Sequence, residues 1–114
     1  MKGDGGGDQG DGKGESRSVK WRITVPARRD LAGIWPYTQL RWNAGQADRY
    51  LDLLTARIVW LAGNKNLWIV RDDIRDGLFC YGEGRHRIFF TETSGVLTVV
   101  RVLHERMDIK RYVK

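Results

Sequence analysis

Residues 84–104 read GRHRIFFTETSGVLTVVRVLH, and the fold turns on how this stretch is parsed. Two apolar runs flank a glycine-containing connection, Glu92-Thr93-Ser94-Gly95, the pattern of a β-hairpin. In the second run Val96, Thr98, Val100 and Val102 alternate with Leu97, Val99 and Leu103, and Arg101 is the one charge among them. Successive strand residues point to opposite faces, so both faces of this strand are apolar and both need cover. Just upstream, Leu78 to Tyr81 supplies a further candidate strand, joined by Gly82-Glu83-Gly84. The spacing predicts an antiparallel meander of Leu78 to Tyr81, Arg85 to Thr91 and Val96 to His104.

The cover comes from earlier in the chain. Ala47, Tyr50, Leu51, Leu54, Ile58 and Leu61 recur at helical spacing until Gly63 stops the pattern. Before them Leu31, Ile34, Trp35, Thr38 and Trp42 mark one face of another helix over Ala27 to Trp42. Pro36 falls inside it, and proline in a helix interior removes a hydrogen bond and collides with the preceding turn, so a kink or break near Ala32 to Trp35 is expected. Asn43, Ala44 and Gly45 read as the tight connection of a helical hairpin. Val19, Trp21, Ile23 and Val25 alternate with Lys20, Arg22 and Thr24, a half-buried strand that Pro26 ends. Leu67 to Val70 reads either as a short strand or as an apolar plug in a loop.

A two-helix hairpin covers one face of such a sheet. The second face is then expected to be under-covered and to mark a partner site; the competing reading folds the tail, the 63–70 loop and residues 105–114 back over it. Residues 1–17 hold half of the 14 glycines and no Ile, Leu, Val or aromatic residue. They bury too little to offset their ordering entropy and are expected to be a disordered tail preceding a single domain over residues 18–114. Beyond residue 18 there are 17 basic and 10 acidic residues, and 13 of the basic ones are Arg. Such a surface suits acidic partners, whether nucleic acid, a ribosome or an acidic protein segment. Cys80 is the only cysteine, which excludes an intrachain disulfide and fits a reducing compartment. No apolar run approaches the roughly 18 residues of a membrane span, so a cytoplasmic protein with no membrane partner is expected.

Arg85, His86 and Arg87 open one strand while Arg101, His104, Arg106 and Arg111 end the next and its tail, with Tyr112 close by in sequence. Antiparallel pairing can gather several of these cations. Together with histidine and tyrosine such a cluster can stabilise an RNA-cleavage transition state and move protons. Against that, strand-end arginines commonly pair with carboxylates such as Asp72, Asp73, Glu105 or Asp108, and a non-catalytic role for His104 is favoured. His86, sharing a face with Ile88 and Phe90, is expected to be a packed, satisfied imidazole. Two histidines and one cysteine offer no metal-ligand spacing, and Gly82-Glu83-Gly84 is too short to cradle a phosphate, so neither metal nor cofactor is expected. No basic recognition helix is present for direct sequence-specific DNA reading.

The order strand, helical hairpin, meander and basic tail resembles the ParE branch of the RelE/ParE toxins over residues 19–112. The words that carry it are Asp30-Leu31, Ile34-Trp35, Tyr37-Thr38, Trp42, Gln46-Ala47 and Tyr50-Leu51, then Arg71-Asp72-Asp73-Ile74-Arg75 and Gly77-Leu78. The most specific are Gly84-Arg85-His86 with Ile88-Phe89-Phe90, and Arg101-Val102-Leu103-His104 with Arg106-Met107-Asp108. The resemblance implies an α+β, RelE/ParE-like fold and a toxin of a type II toxin–antitoxin system that inhibits DNA gyrase, blocks replication and is neutralised by a ParD-like antitoxin. It also argues against an enzyme, because the ParE branch does not retain the ribonuclease residue set. Arg85, Arg87, Arg101, His104, Arg106 and Arg111 are then the expected partner contacts. The alternative is a ribosome-dependent mRNA endonuclease using Arg85, Arg87, His104 and Tyr112. A third reading, prompted by Pro36 and the unusual Asn64 to Val70 segment, is a degenerate homologue that binds antitoxin without toxicity.

Overall fold

The computed structural model describes residues 13–16 and 19–113. Strand β1 (Lys13–Ser16) and β2 (Val19–Ile23) precede a hairpin of helices α1 (Val25–Arg41) and α2 (Ala44–Ala62). A 3-10 turn at Lys65–Leu67 leads to β3 (Ile69–Val70), β4 (Phe79–Glu83), β5 (His86–Thr93) and β6 (Val96–His104), and a single helical turn α3 (Ile109–Tyr112) closes the chain. The strands form one sheet of six in the order β1-β2-β6-β5-β4-β3. β2 runs parallel to β6 and the other pairings are antiparallel.

The expected meander is present, with its turns tightened. Glu83 pairs with His86, so the first connection is Gly84-Arg85 rather than Gly82-Glu83-Gly84. Gly84 has φ +59°, the first-position glycine that a two-residue II′-type turn requires. The second connection shrinks to Ser94-Gly95, both at positive φ, because Thr93 pairs with Val96. The expected disordered tail is corrected in part. Lys13–Ser16 pairs with β2, since strand pairing satisfies backbone groups without requiring apolar side chains; residues 1–12 and 17 lie outside the described residues.

The N-terminal strand ends two residues early. Thr24 becomes the N-cap of α1, accepting from the Ala27 N–H at 3.2 Å while its hydroxyl donates to the Val100 carbonyl at 3.1 Å. The expected break near Ala32 to Trp35 does not occur: α1 runs unbroken through Pro36. Pro36 and Ala32 lie on the exposed side of the helix, where water can reach the carbonyl that loses its partner. The buried face of α1 is Ala27, Leu31, Ile34 and Thr38. Trp42, expected on that face, ends outside it and is 72% exposed. Asn43 is the N-cap of α2, accepting from Gln46 N–H at 2.8 Å. Both readings of the 67–70 segment hold in part: Trp68 plugs the core, stacking edge-on against Phe90 and donating its indole N–H to the Leu61 carbonyl at 2.8 Å, while Ile69 and Val70 form the sheet's outer edge with exposed side chains.

The alternation in β6 is interrupted. Phe89 pairs with Arg101 and Phe90 with Val99, leaving Val100 as the extra residue of a β-bulge. Leu97, Val99 and Val102 therefore all join the helix-facing core with Ile88, Phe90, Leu54, Ile58 and Leu61. Val100 and Leu103 belong to a second cluster on the other face with Leu78, Cys80 and Phe89. The expected under-covered face is also corrected. Val113, Ile109 and Met107 pack over it, the part of the competing fold-back assigned to residues 105–114, because the turn after His104 brings the apolar residues of α3 and its flanks onto the sheet; Ile74 joins them from the loop before β4, whereas Trp68 of the 63–70 segment packs on the helix side.

Candidate functional site

At the end of the sheet where β5 begins and β6 finishes, a cleft of about 770 Å³ lies between the helical hairpin and the strands. Ile34, Tyr37, Thr38 and Arg41 line it from α1, Gln46 and Tyr50 from α2. The opposite wall is the Gly84-Arg85-His86 turn, Val102, His104, Arg106 and Met107. The antiparallel register places His86 opposite His104, and their rings meet edge to face with centroids 5.3 Å apart.

A hydrogen-bonded floor fixes these groups. The Tyr50 hydroxyl lies 2.7 Å from His86 Nδ1 and 3.3 Å from the Glu83 carbonyl, and it accepts from the Arg85 N–H at 3.0 Å. Burial raises the Tyr50 pKa, so the phenol stays protonated and donates. Gly84 has no room for a side chain: an added Cβ would stand 2.7 Å from the Tyr50 ring. His86 is pulled down from the usual 6.5 to about 4, chiefly by burial and then by the neighbouring His104, so it is neutral at pH 7. His104 Nδ1 accepts from the Arg106 N–H at 3.1 Å, which leaves Nε2 carrying the proton in the neutral ring. Tyr37 sits edge-on to His104 at 6.4 Å.

Only part of the expected cationic cluster meets here. Arg85, His104 and Arg106 line the cleft. Arg85 is largely exposed and reaches Glu105 at 3.2 Å. Arg87 alternates with the inward-facing His86 and Ile88, so it projects to the second face, where its charge acts on Cys80. Arg101 is engaged inside the molecule: Nε and Nη2 donate to the two Asp30 oxygens at 2.7 and 2.8 Å, a bidentate pair that raises the Arg101 pKa. The same carboxylate accepts from the Val102 N–H at 2.9 Å, satisfying the edge of β6 beyond the point where β2 ends. The Tyr112 ring lies under Arg101, 5.6 Å from the guanidinium, and Arg111 is exposed on α3; neither lines the cleft. Sequence reasoning passed over Tyr37, Arg41, Trp42 and Gln46 as site residues. Only Trp42 carried a signal, as the end of the helical stripe, which periodicity assigned to the core.

Among the described residues no group of three or more His, Cys, Asp or Glu side chains is placed to hold a metal ion. No helix among them is long and apolar enough to cross a membrane.

A strand, a helical hairpin and a twisted meander closed by a short terminal helix define the α+β fold of the RelE/ParE toxins. The structure resembles that titled "Chromosomal ParDE TA system from P. aeruginosa" with a TM-score of 0.67 at 13% identity, covering 76% of this chain and 96% of that one. It also resembles the toxin–antitoxin complex RelBE2 of Mycobacterium tuberculosis, with a TM-score of 0.54 at 22% identity over 74% of this chain and 94% of that one. In sequence, residues 21–109 match the family described as ParE toxin of type II toxin-antitoxin system, parDE. The chain is 37% identical over 95 residues to Toxin ParE1 of M. tuberculosis, covering 82% of this chain and 97% of that protein. It is 33% identical over 88 residues to Toxin ParE of Escherichia coli, covering 76% and 85%. The chain belongs to the ParE toxin family of type II toxin–antitoxin systems.

Proposed function

We propose that this protein arrests growth by binding DNA gyrase without catalysing a reaction, and that a ParD-like antitoxin neutralises it. The observation that carries this reading over the ribonuclease alternative is the dispersal of the nuclease candidates. Arg85 and His104 are in the cleft, Arg87 is on the second face, and Tyr112 is under an arginine already neutralised by Asp30. A 2′-OH cleavage needs its acid, base and charge-stabilising groups around one phosphate, within hydrogen-bond reach. Arg85, His104 and Arg106 at the cleft, with Arg87 and Arg111 elsewhere on the surface, are the proposed partner contacts; Arg101 acts as an internal strut. Gyrase is the target that the family resemblance implies, and the antitoxin follows from the same membership.

The test is induction of the protein in a bacterial host, with and without a ParD-like antitoxin, scoring growth, plasmid topology and transcript integrity beside a purified gyrase supercoiling assay. Arrest relieved by the antitoxin, with lost supercoiling and intact transcripts, is the expected result. Normal supercoiling at excess toxin would remove gyrase as the target. Cleaved transcripts would instead favour the endonuclease, and absence of arrest the degenerate homologue.

A further inference from the structure

We propose that the cleft between the helical hairpin and the end of the sheet binds a nucleoside phosphate, free or as one unit of a single strand. The base lies on Trp42, and the phosphate is held among Arg41, Arg85 and Arg106. This reading does not rest on gyrase being the target.

Three observations converge on it. The cleft's volume, about 770 Å³, lies within the range of small-ligand sites, roughly 300–1,000 Å³. Its charge is one-sided. Asp30 is the only carboxylate among its lining residues, and both Asp30 oxygens are occupied by Arg101 and the Val102 N–H. Arg41 and Arg106 have no carboxylate partner among the described residues, and Arg85 has only the exposed contact to Glu105. Three guanidinium groups with a single exposed carboxylate, Glu105, against them favour a multivalent anion, and their planar fork matches phosphate oxygens. His104 adds a donor, because its Nδ1 is taken by the Arg106 N–H and the proton sits on Nε2.

The third observation separates a nucleotide from any other anion. Trp42 stands at the mouth of the cleft with 72% of its surface in water, and among the described residues no ring contact and no guanidinium or ammonium over its ring occupies it. An indole left against solvent beside a cationic pocket is a stacking platform for a planar base, the arrangement by which single-stranded nucleic acids are held without sequence preference. Tyr37 is less available, since Arg41 lies over its ring at 5.7 Å.

The test is calorimetric titration of the full chain with AMP, ribose 5-phosphate, tetraglutamate and octathymidylate. AMP is expected to bind saturably at one per chain, with ribose 5-phosphate about tenfold weaker because it has no base to stack. Trp42→Ala should cost AMP a similar factor and Trp42→Phe should restore most of it. Arg41→Ala combined with Arg106→Ala should abolish saturable binding, whereas Arg28→Ala, outside the cleft, should leave it unchanged. All of these side chains are exposed, and unchanged near-UV circular dichroism checks that each variant is folded. Octathymidylate binding more tightly than AMP and displaced by it identifies a strand as the source; AMP binding at least as well identifies the free nucleotide. Equal affinity for AMP and ribose 5-phosphate, equal affinity for tetraglutamate, or indifference to Trp42→Ala would each overturn the proposal. Gyrase inhibition by Trp42→Ala, measured in parallel, shows whether the two readings stand or fall separately.

Discussion

The two faces of the sheet are closed by different means. On one, a long helical hairpin lays down a continuous core running from Ile23 through Leu54, Ile58, Phe90 and Val102. On the other, Leu78, Cys80, Phe89 and Leu103 are roofed by one helical turn and its flanks, with Val113 as the fully covered contact. The hairpin side buries more apolar side chains yet also carries the cleft, between α1, α2 and the end of the β5–β6 pair. The short segment packs on the sheet locally through Met107, Ile109 and Val113. The broader cover thus makes the stability and also the site, while the narrower one only seals.

The largest test of that division is Phe90→Ala against Phe89→Ala. Both rings are fully buried, and truncating a buried phenylalanine costs about 3–5 kcal/mol. Phe90, between Phe79 and Trp68 in the hairpin-side core, should fall at the upper end in urea denaturation. Phe89, under a roof that can settle into the space, should fall at the lower end.

Acid comes next. His86 is held down to about 4, so above about 6.5 it is neutral in both the folded and unfolded chain. As pH falls below that, the unfolded chain takes up a proton that the folded chain refuses, and stability drops until the folded imidazole titrates near 4. The loss is on the order of 3 kcal/mol at most. His86→Gln should flatten this part of the pH–stability curve, measured as the wild-type minus variant difference between pH 7 and pH 4.

Gly84→Ala should cost about 2–3 kcal/mol, since it forces a side chain into a left-handed turn and onto the Tyr50 ring; loss of the Tyr50–His86 hydrogen bond would be visible in the His86 ring resonances. Val113→Ala, the smallest change, should cost about 1–2 kcal/mol. It should also raise dye binding to the second face without altering the cleft. An equal or larger loss than that of Phe90→Ala would mean that the terminal segment, and not the hairpin, is the dominant closure.

Much of this was legible beforehand. Period-two and helical spacings located β2, both helices and the three meander strands, and the alternation of His86 with Arg87 correctly buried the imidazole. What escaped has physical causes. Pairing of β1 depends on backbone groups, which composition does not report. Helical spacing shows that Trp42 continues a stripe but not that the opposing surface has ended. The partner of Arg101 is Asp30, distant in sequence, where nearby carboxylates were the natural guess. The closing of the second face was visible only as one of two options, because the apolar residues of the last segment are too few to show a period.

The extra residue at Val100 also acts like a frame shift for side chains. If Val100 took a regular place in the ladder, strict alternation onward from Leu97 and Val99 would put Leu103 against the helices and turn His104 to the far side, away from His86. Setting one residue outside the ladder is therefore what admits the second histidine to the cleft. Deleting Val100 would leave Val102 and His104 on the helix side, because the loss of the residue and the loss of the bulge cancel.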